Sequence, residues 1–167
     1  MGATRTLRIF VILLASAATA CGGSGSPAGN AGDDGTQPAE ASPVGTFALA
    51  RSGCSYDGPA ALAAGEATFT LASQGGSADF DLWLMEDGHA YEELAAHIDA
   101  ERRRSERGQQ PLGHPTFATL VAEGSTDPAG EGTLTTALDA GLYGAACIRF
   151  EGSTPGLWVA GPFTVEA

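Results

Sequence analysis

The chain has 167 residues and a formal charge of −12, from 8 basic and 20 acidic side chains. Every basic residue is Arg; the absence of Lys removes a P-loop lysine, a Schiff base and a Ser-Lys dyad from the chemistries open to it. The acidic balance argues against nucleic acid and anionic lipid as partners, and 24 Gly, about twice the usual ~7%, point to a turn-rich β architecture.

Arg5 and Arg8 precede an uncharged, mainly apolar stretch from Ile9 to Ala20. As a helix that stretch covers roughly 18 Å against a ~30 Å hydrocarbon core, so residues 1–20 read as a signal peptide and not as a membrane span. Ala18-Thr19-Ala20-Cys21 resembles a bacterial lipobox, with Ala where the usual pattern has Leu. The resemblance implies that Cys21 carries a diacylglyceryl thioether and anchors the protein to a membrane of the cell envelope, on its extracytoplasmic face. Ala18-Thr19-Ala20 also fits an ordinary A-x-A signal site. Cleavage before Cys21 removes two Arg and no acid, which takes the formal charge from −12 to −14. Residues 21–43 hold Gly, Ser, Pro, Ala and Asp with no aromatic and no large aliphatic side chain. Such a segment cannot offset its ordering entropy by burial; it reads as a disordered tether with an r.m.s. reach of roughly 25 Å.

From residue 44 to 167 the pattern is period-two alternation. Phe47 and Leu49 share one face of a first strand, and Phe69 and Leu71 one face of another after a Gly65-Glu66 turn. Phe80, Leu82 and Leu84 form an apolar face whose reverse carries Asp79, Asp81, Trp83 and Met85; Asp79 and Asp81 read as polar positions on a solvent face. Tyr91, Leu94, Ala95 and Ile98 then switch to helical spacing, with Glu92 and Glu93 in the first turn. Arg102, Arg103, Arg104 and Arg107 lie late in that helix, Asp99 is placed for an i, i+4 pair with Arg103, and Gly108 ends it. Leu134, Thr136 and Leu138 form a further stripe, Leu142, Ala146, Ile148 and Phe150 another, and Phe163 and Val165 close the chain. Asp57-Gly58-Pro59, Gln74-Gly75-Gly76, Asp127-Pro128-Ala129-Gly130 and Ser153-Thr154-Pro155-Gly156 supply the turns. The expectation is an all-β sandwich with one α-helix inserted at about 89–107.

With Cys21 lipidated, Cys54 and Cys147 remain to pair in an oxidising compartment; two buried thiols or a metal thiolate are the alternatives. Gly141-Leu142-Tyr143-Gly144-Ala145-Ala146-Cys147 resembles the Gly-x-Tyr-x-x-x-Cys strand of the cupredoxin, or blue-copper, superfamily. Gly65 to Leu71, Phe80 to Leu84 followed by Asp87-Gly88-His89, and Gly161 to Val165 resemble further strands of that superfamily. The resemblance implies a cupredoxin-like Greek-key β-sandwich over 44–167 with a copper site of two His, a Cys and an axial Met. Residues 148–158 contain neither His nor Met, so the ligand set departs from the pattern and copper is not expected as a cofactor.

His89, Glu93 and His97 are four apart on one helix face, opposite Tyr91, Leu94 and Ile98, and read as a solvated surface. There is no G-x-S-x-G, and no catalytic residue is assigned. Arg149 and Trp158 bracket the loop best placed for recognition, near Glu86 to His89. The leading expectation is a non-catalytic, copper-free binding module that meets an envelope protein or a small ligand at the membrane surface. The alternative is a metal-handling or electron-transfer protein with a non-blue site built from His89, His97 or His114.

Overall fold

The computed structural model describes residues 42–151 and 154–167. The signal peptide, Cys21 and all but the last two residues of the tether lie outside the described residues. The described strands are β1 (Gly45–Ala50), β2 (Gly53–Asp57), β3 (Ala61–Ala63), β4 (Gly65–Ser73), β5 (Asp79–Met85), β6 (Ala118–Ser125), β7 (Glu131–Leu138), β8 (Gly141–Glu151) and β9 (Thr154–Glu166). One helix, α1 (Tyr91–Glu106), lies between β5 and β6.

The strands form two sheets, in the orders β2-β1-β4-β7 and β3-β9-β8-β5-β6. Most neighbours are antiparallel, but β1 runs parallel to β4 and β3 parallel to β9. Both parallel pairs arise because the chain crosses to the other sheet and back before the partner strand is laid down. Phe47, Leu49, Phe69 and Leu71 from one sheet meet Phe80, Leu82, Phe163 and Val165 from the other, all at most 4% exposed. Rings dominate the middle: Phe163 lies 5.3 Å from Tyr143, 4.9 Å from Tyr56 and 5.8 Å from Phe69, centroid to centroid. Tyr143 is fully buried, and its hydroxyl donates to the Asp139 carbonyl (2.9 Å) while accepting from the Asp139 N–H (3.1 Å). That tyrosine corner closes the turn from β7 into β8 and leaves no buried phenol unpaired.

Cys54 and Cys147 are joined, with Cα atoms 6.3 Å apart and a separation of 93 positions in sequence. Since β2 and β8 belong to different sheets, the disulfide staples the sandwich across its core.

The five-stranded sheet is buried on both sides, which corrects the expectation of a solvent face on β5. On β8 the stripe Leu142, Ala146, Ile148 and Phe150 shares one face, and the face toward the other sheet belongs to Tyr143, Ala145 and Cys147. Leu142 and Ala146 lie in a second apolar cluster beneath α1, and Phe150 is 63% exposed. The reverse face of β5 is not open to solvent at Trp83 and Met85, which are 3% and 5% exposed under Leu94 and Ile98 of α1. Gly144 makes the close approach of helix and sheet possible: a Cβ there would stand 2.9 Å from Leu94 Cδ2 and 3.0 Å from the Tyr91 ring.

Candidate ligand cleft beside the helix

α1 forms as its sequence dictates. Leu94 and Ile98 are buried one turn apart, Glu92 and Glu93 sit in the first turn and Arg103 and Arg104 in the last, each matched to the nearer end of the helix dipole. Asp99 accepts from both Arg102 and Arg103, and Arg102 also reaches Glu106 at 3.3 Å. The hydrogen bond from Arg102, with the charges of both guanidiniums, holds the Asp99 carboxyl below the usual carboxylate range. The arginine run is therefore satisfied largely within the helix and its exit. Gly108, at φ +62°, turns the chain out of α1.

The exit segment then folds back along the helix and is tied to it at three points. Arg104 Nε donates to the Gln110 carbonyl (2.6 Å), the Leu112 N–H donates to Glu101 (2.6 Å), and His97 Nε2 donates to the Gly113 carbonyl (2.9 Å). Between this returning segment, α1 and the outer face of β5 and β8 lies a cleft of about 250 Å³. Its floor is Trp83, Ala146 and Ile148; Ile98 and His97 form the helix wall, and His114 and Pro115 the wall opposite. The His114 ring stands edge-on to the Trp83 indole, centroids 5.1 Å apart. Trp83 Nε1 is buried and has no hydrogen-bond partner among the described residues. An indole N–H in that position forfeits a bond that buried polar groups nearly always make.

Asp81 closes one end of the cleft. It lies on the same face of β5 as Trp83, two residues away, and directly opposite Glu123 across the β5–β6 ladder. Like charges in that register repel. Burial, reinforced by the charges of Glu123 and Asp79 and relieved in part by His114, pushes the Asp81 carboxyl up to about 6. No ion pair to Asp79, Asp81 or Glu123 is present among the described residues. These three carboxylates line an acidic hollow of about 410 Å³ that adjoins the apolar cleft at Asp81.

A raised carboxyl in the folded state stabilises the fold only while it holds its proton. The Asp81 contribution is complete below the unfolded value near 3.9 and is lost as pH rises through about 6. Discounted for its partial exposure, this is about 1–2 kcal/mol. Asp81→Asn should therefore leave stability at pH 4 unchanged and raise it by that amount at pH 8, measured by denaturant titration at the two pH values. Equal stability of variant and parent at pH 8 would show that the carboxylate is not under strain.

The other residues singled out in the sequence are distributed differently. His89 Nδ1 donates to Glu93 at 2.6 Å, while His89 and His97 both pack against Phe117 at 5.5 and 6.1 Å between centroids. His97 is thus not on an open face but is held by the exit segment. Among the described residues no set of three or more His, Cys, Asp or Glu converges on a point where a metal ion would sit. Trp158 is half-buried and lines a separate hollow of about 370 Å³ with Cys54, Asp99 and Arg102. Arg149 faces inward: it is 5% exposed, donates to the Gln74 and Ala50 carbonyls at 2.7 and 2.6 Å, and lies 5.6 Å over the Trp158 ring. The structure brings Arg149 and Trp158 together, but with the guanidinium behind the ring.

The cleft itself escaped the sequence reading, although a signal for it exists. Leu82-Trp83-Leu84-Met85 is apolar on both faces of its strand, which means that something covers the second face. The chain matches no known protein-family model, and no curated protein matches it.

Proposed function

We propose that this chain is a lipid-anchored envelope protein whose sandwich is of the cupredoxin-like Greek-key type, without copper, and that it works as a non-catalytic binding module with the cleft beside α1 as its ligand seat. The observation that carries the binding reading is an apolar cleft with a carboxylate at its edge, lined by Trp83, whose buried indole N–H has no partner among the described residues. Ligand sites are commonly of this make-up, mostly apolar with few polar groups set to orient the guest. The fold-type reading is supported by the mixed sheets joined by crossings between layers, by the helix inserted after β5, and by the Gly-x-Tyr-x-x-x-Cys strand in the middle of its sheet. The copper-free reading is supported by the disulfide, since a Cys147 bonded to Cys54 has no thiolate to offer a His₂Cys centre. The lipid anchor rests on the lipobox-like run ending at Cys21.

Two measurements test this. In cell fractionation, Cys21→Ser should move the protein from membranes to the soluble fraction; continued membrane association would overturn the anchor. In two-dimensional NMR of the full chain, one-ring probes such as 4-methoxybenzyl alcohol and 4-methoxybenzylamine should shift the Trp83 indole N–H signal, assigned by Trp83→Phe, and spare that of Trp158. If neither probe moves it, the binding reading falls. Stoichiometric copper or zinc in the purified protein, lost on replacing His89, His97 and His114, would instead favour a metal-handling role.

A further inference from the structure

The cleft has an unusual electrostatic setting for an apolar seat, and it narrows the class of guest. Asp79, Asp81 and Glu123 line the acidic hollow that adjoins the cleft at Asp81, and among the described residues none of the three is in an ion pair. Asp81 and Glu123 are paired directly across the ladder, an arrangement that costs stability unless positive charge is brought in from outside. Asp81 is the one residue of the three that also lines the apolar cleft. The same face of β5 carries Trp83 two residues on, so Asp81 and the residue that bears the orphaned N–H donor are spaced roughly 7 Å apart along one strand, Cα to Cα. The cavity that both residues line, about 250 Å³, exceeds the ~150 Å³ that suffices for benzene and matches a one-ring molecule with short substituents.

Resting on the binding reading above, we propose that the cleft takes a small organic cation: an apolar body of about one ring, with a protonated amine set against Asp81 and a neutral acceptor oxygen for the Trp83 N–H. The ammonium would relieve the repulsion between Asp81 and Glu123, and the acceptor would satisfy the buried donor. A carboxylate or phosphate guest is disfavoured by the same three acids. A bare divalent ion would answer the charges and leave the indole and the apolar walls unused. The other titratable groups facing Asp81 are His114 on the exit segment and, on the helix wall of the cleft, His97 and Glu101. A protonated His114 opposes the cation. Since a bound cation favours the ionised form of Asp81, affinity should rise with pH through about 6 and binding below neutrality should release protons.

The test is a matched probe series on the full chain: 4-methoxybenzylamine, 4-methoxybenzyl alcohol and 4-methoxybenzoate, by calorimetry and by the Trp83 indole signal. The amine should bind about tenfold or more tighter than the alcohol, as expected for one charge-assisted hydrogen bond, and the benzoate should not bind. Asp81→Asn should remove the preference of amine over alcohol and keep the alcohol's own affinity, whereas 4-methylbenzylamine should lose affinity through the missing acceptor. An alcohol that moves the Trp83 signal as well as the amine does would overturn the cation assignment and leave the binding reading standing; silence of all probes would sink both. Calcium chloride that displaces the amine and shifts Trp83 would overturn it in favour of a metal.

Discussion

Removing the Cys54–Cys147 cross-link should cost the domain about 4–5 kcal/mol. The bond closes 93 residues, and in the chain-entropy treatment a loop of that size lowers the disorder of the unfolded chain by this amount. The native side argues for the full effect. Cys147 is completely buried in the middle strand of its sheet, Cys54 packs against the same core, and the two sit in opposite sheets, so the bond joins the two layers through the core. Urea titration of the double variant Cys54→Ala, Cys147→Ala should show the loss as a lower midpoint with little change in slope. Reduction of the parent should give a similar loss, and thiol labelling should find these two cysteines closed until reductant is added. A double variant within about 1 kcal/mol of the parent would mean that the cross-link is incidental to the fold. Because a domain of this size has a net stability of roughly 5–15 kcal/mol, the loss decides whether much of the protein is folded in a reducing environment.

The core between the sheets was legible because burial on one side leaves a period of two in the sequence. Phe47/Leu49, Phe69/Leu71, Phe80/Leu82 and Phe163/Val165 all lie where that period puts them. The helix was legible for the same reason at a period of 3.6, together with its acidic start, basic end and terminal Gly108. What the pattern left open was the cover of each face of a strand buried on both. In β8 the stripe Leu142, Ala146, Ile148 and Phe150 lies on the helix side, with Leu142 and Ala146 in the cluster beneath α1 and Phe150 exposed. The other parity, with Tyr143, Ala145 and Cys147, faces the opposite sheet. Alternation shows that there are two faces; it does not say which cover each one receives.

The cleft was hidden for a related reason. Its polar residues read singly as ordinary surface: Asp81 on a strand, His97 on a helix, His114 in a Gly- and Pro-rich connection. They come together only because the exit segment of α1 doubles back and is pinned through main-chain carbonyls, at Gly113 by His97 and at Gln110 by Arg104. Carbonyl partners carry no residue type, so no motif can announce them. β3, three residues long, and β6, at the sheet edge with the weakly patterned run from Ala118 to Ser125, were silent for the simpler reason that edge strands need little burial.

Arg149→Ala should lower stability by about 3–5 kcal/mol, the second large effect the fold implies. The residue follows Cys147 on the inner face of β8, where an apolar side chain would be the simplest choice. Instead its guanidinium crosses to the other sheet, one outer nitrogen on the carbonyl of Ala50 at the end of β1, the other on that of Gln74 just past β4. Hydrogen bonds to a charged group contribute about 1.5–3 kcal/mol each, and their loss would strand two carbonyls at the closed end of the sandwich. Gly75 is shaped to this arrangement: at φ +114° it turns the chain, and a Cβ there would stand 3.3 Å from Nη1. The fork of a guanidinium can serve two carbonyls in different strands at once, which a single ammonium does poorly, so Arg149→Lys should recover less than half of the loss. Arg149→Met is the decisive variant, because it keeps volume and contact with Trp158 while removing charge and donors. If the carbonyl clamp is what holds this end together, Met should remain about 2–3 kcal/mol below the parent in urea titration. A Met variant as stable as the parent would mean that burying the charge costs what its bonds return, and the two sheets would then owe their alignment at this end to the neighbouring disulfide alone.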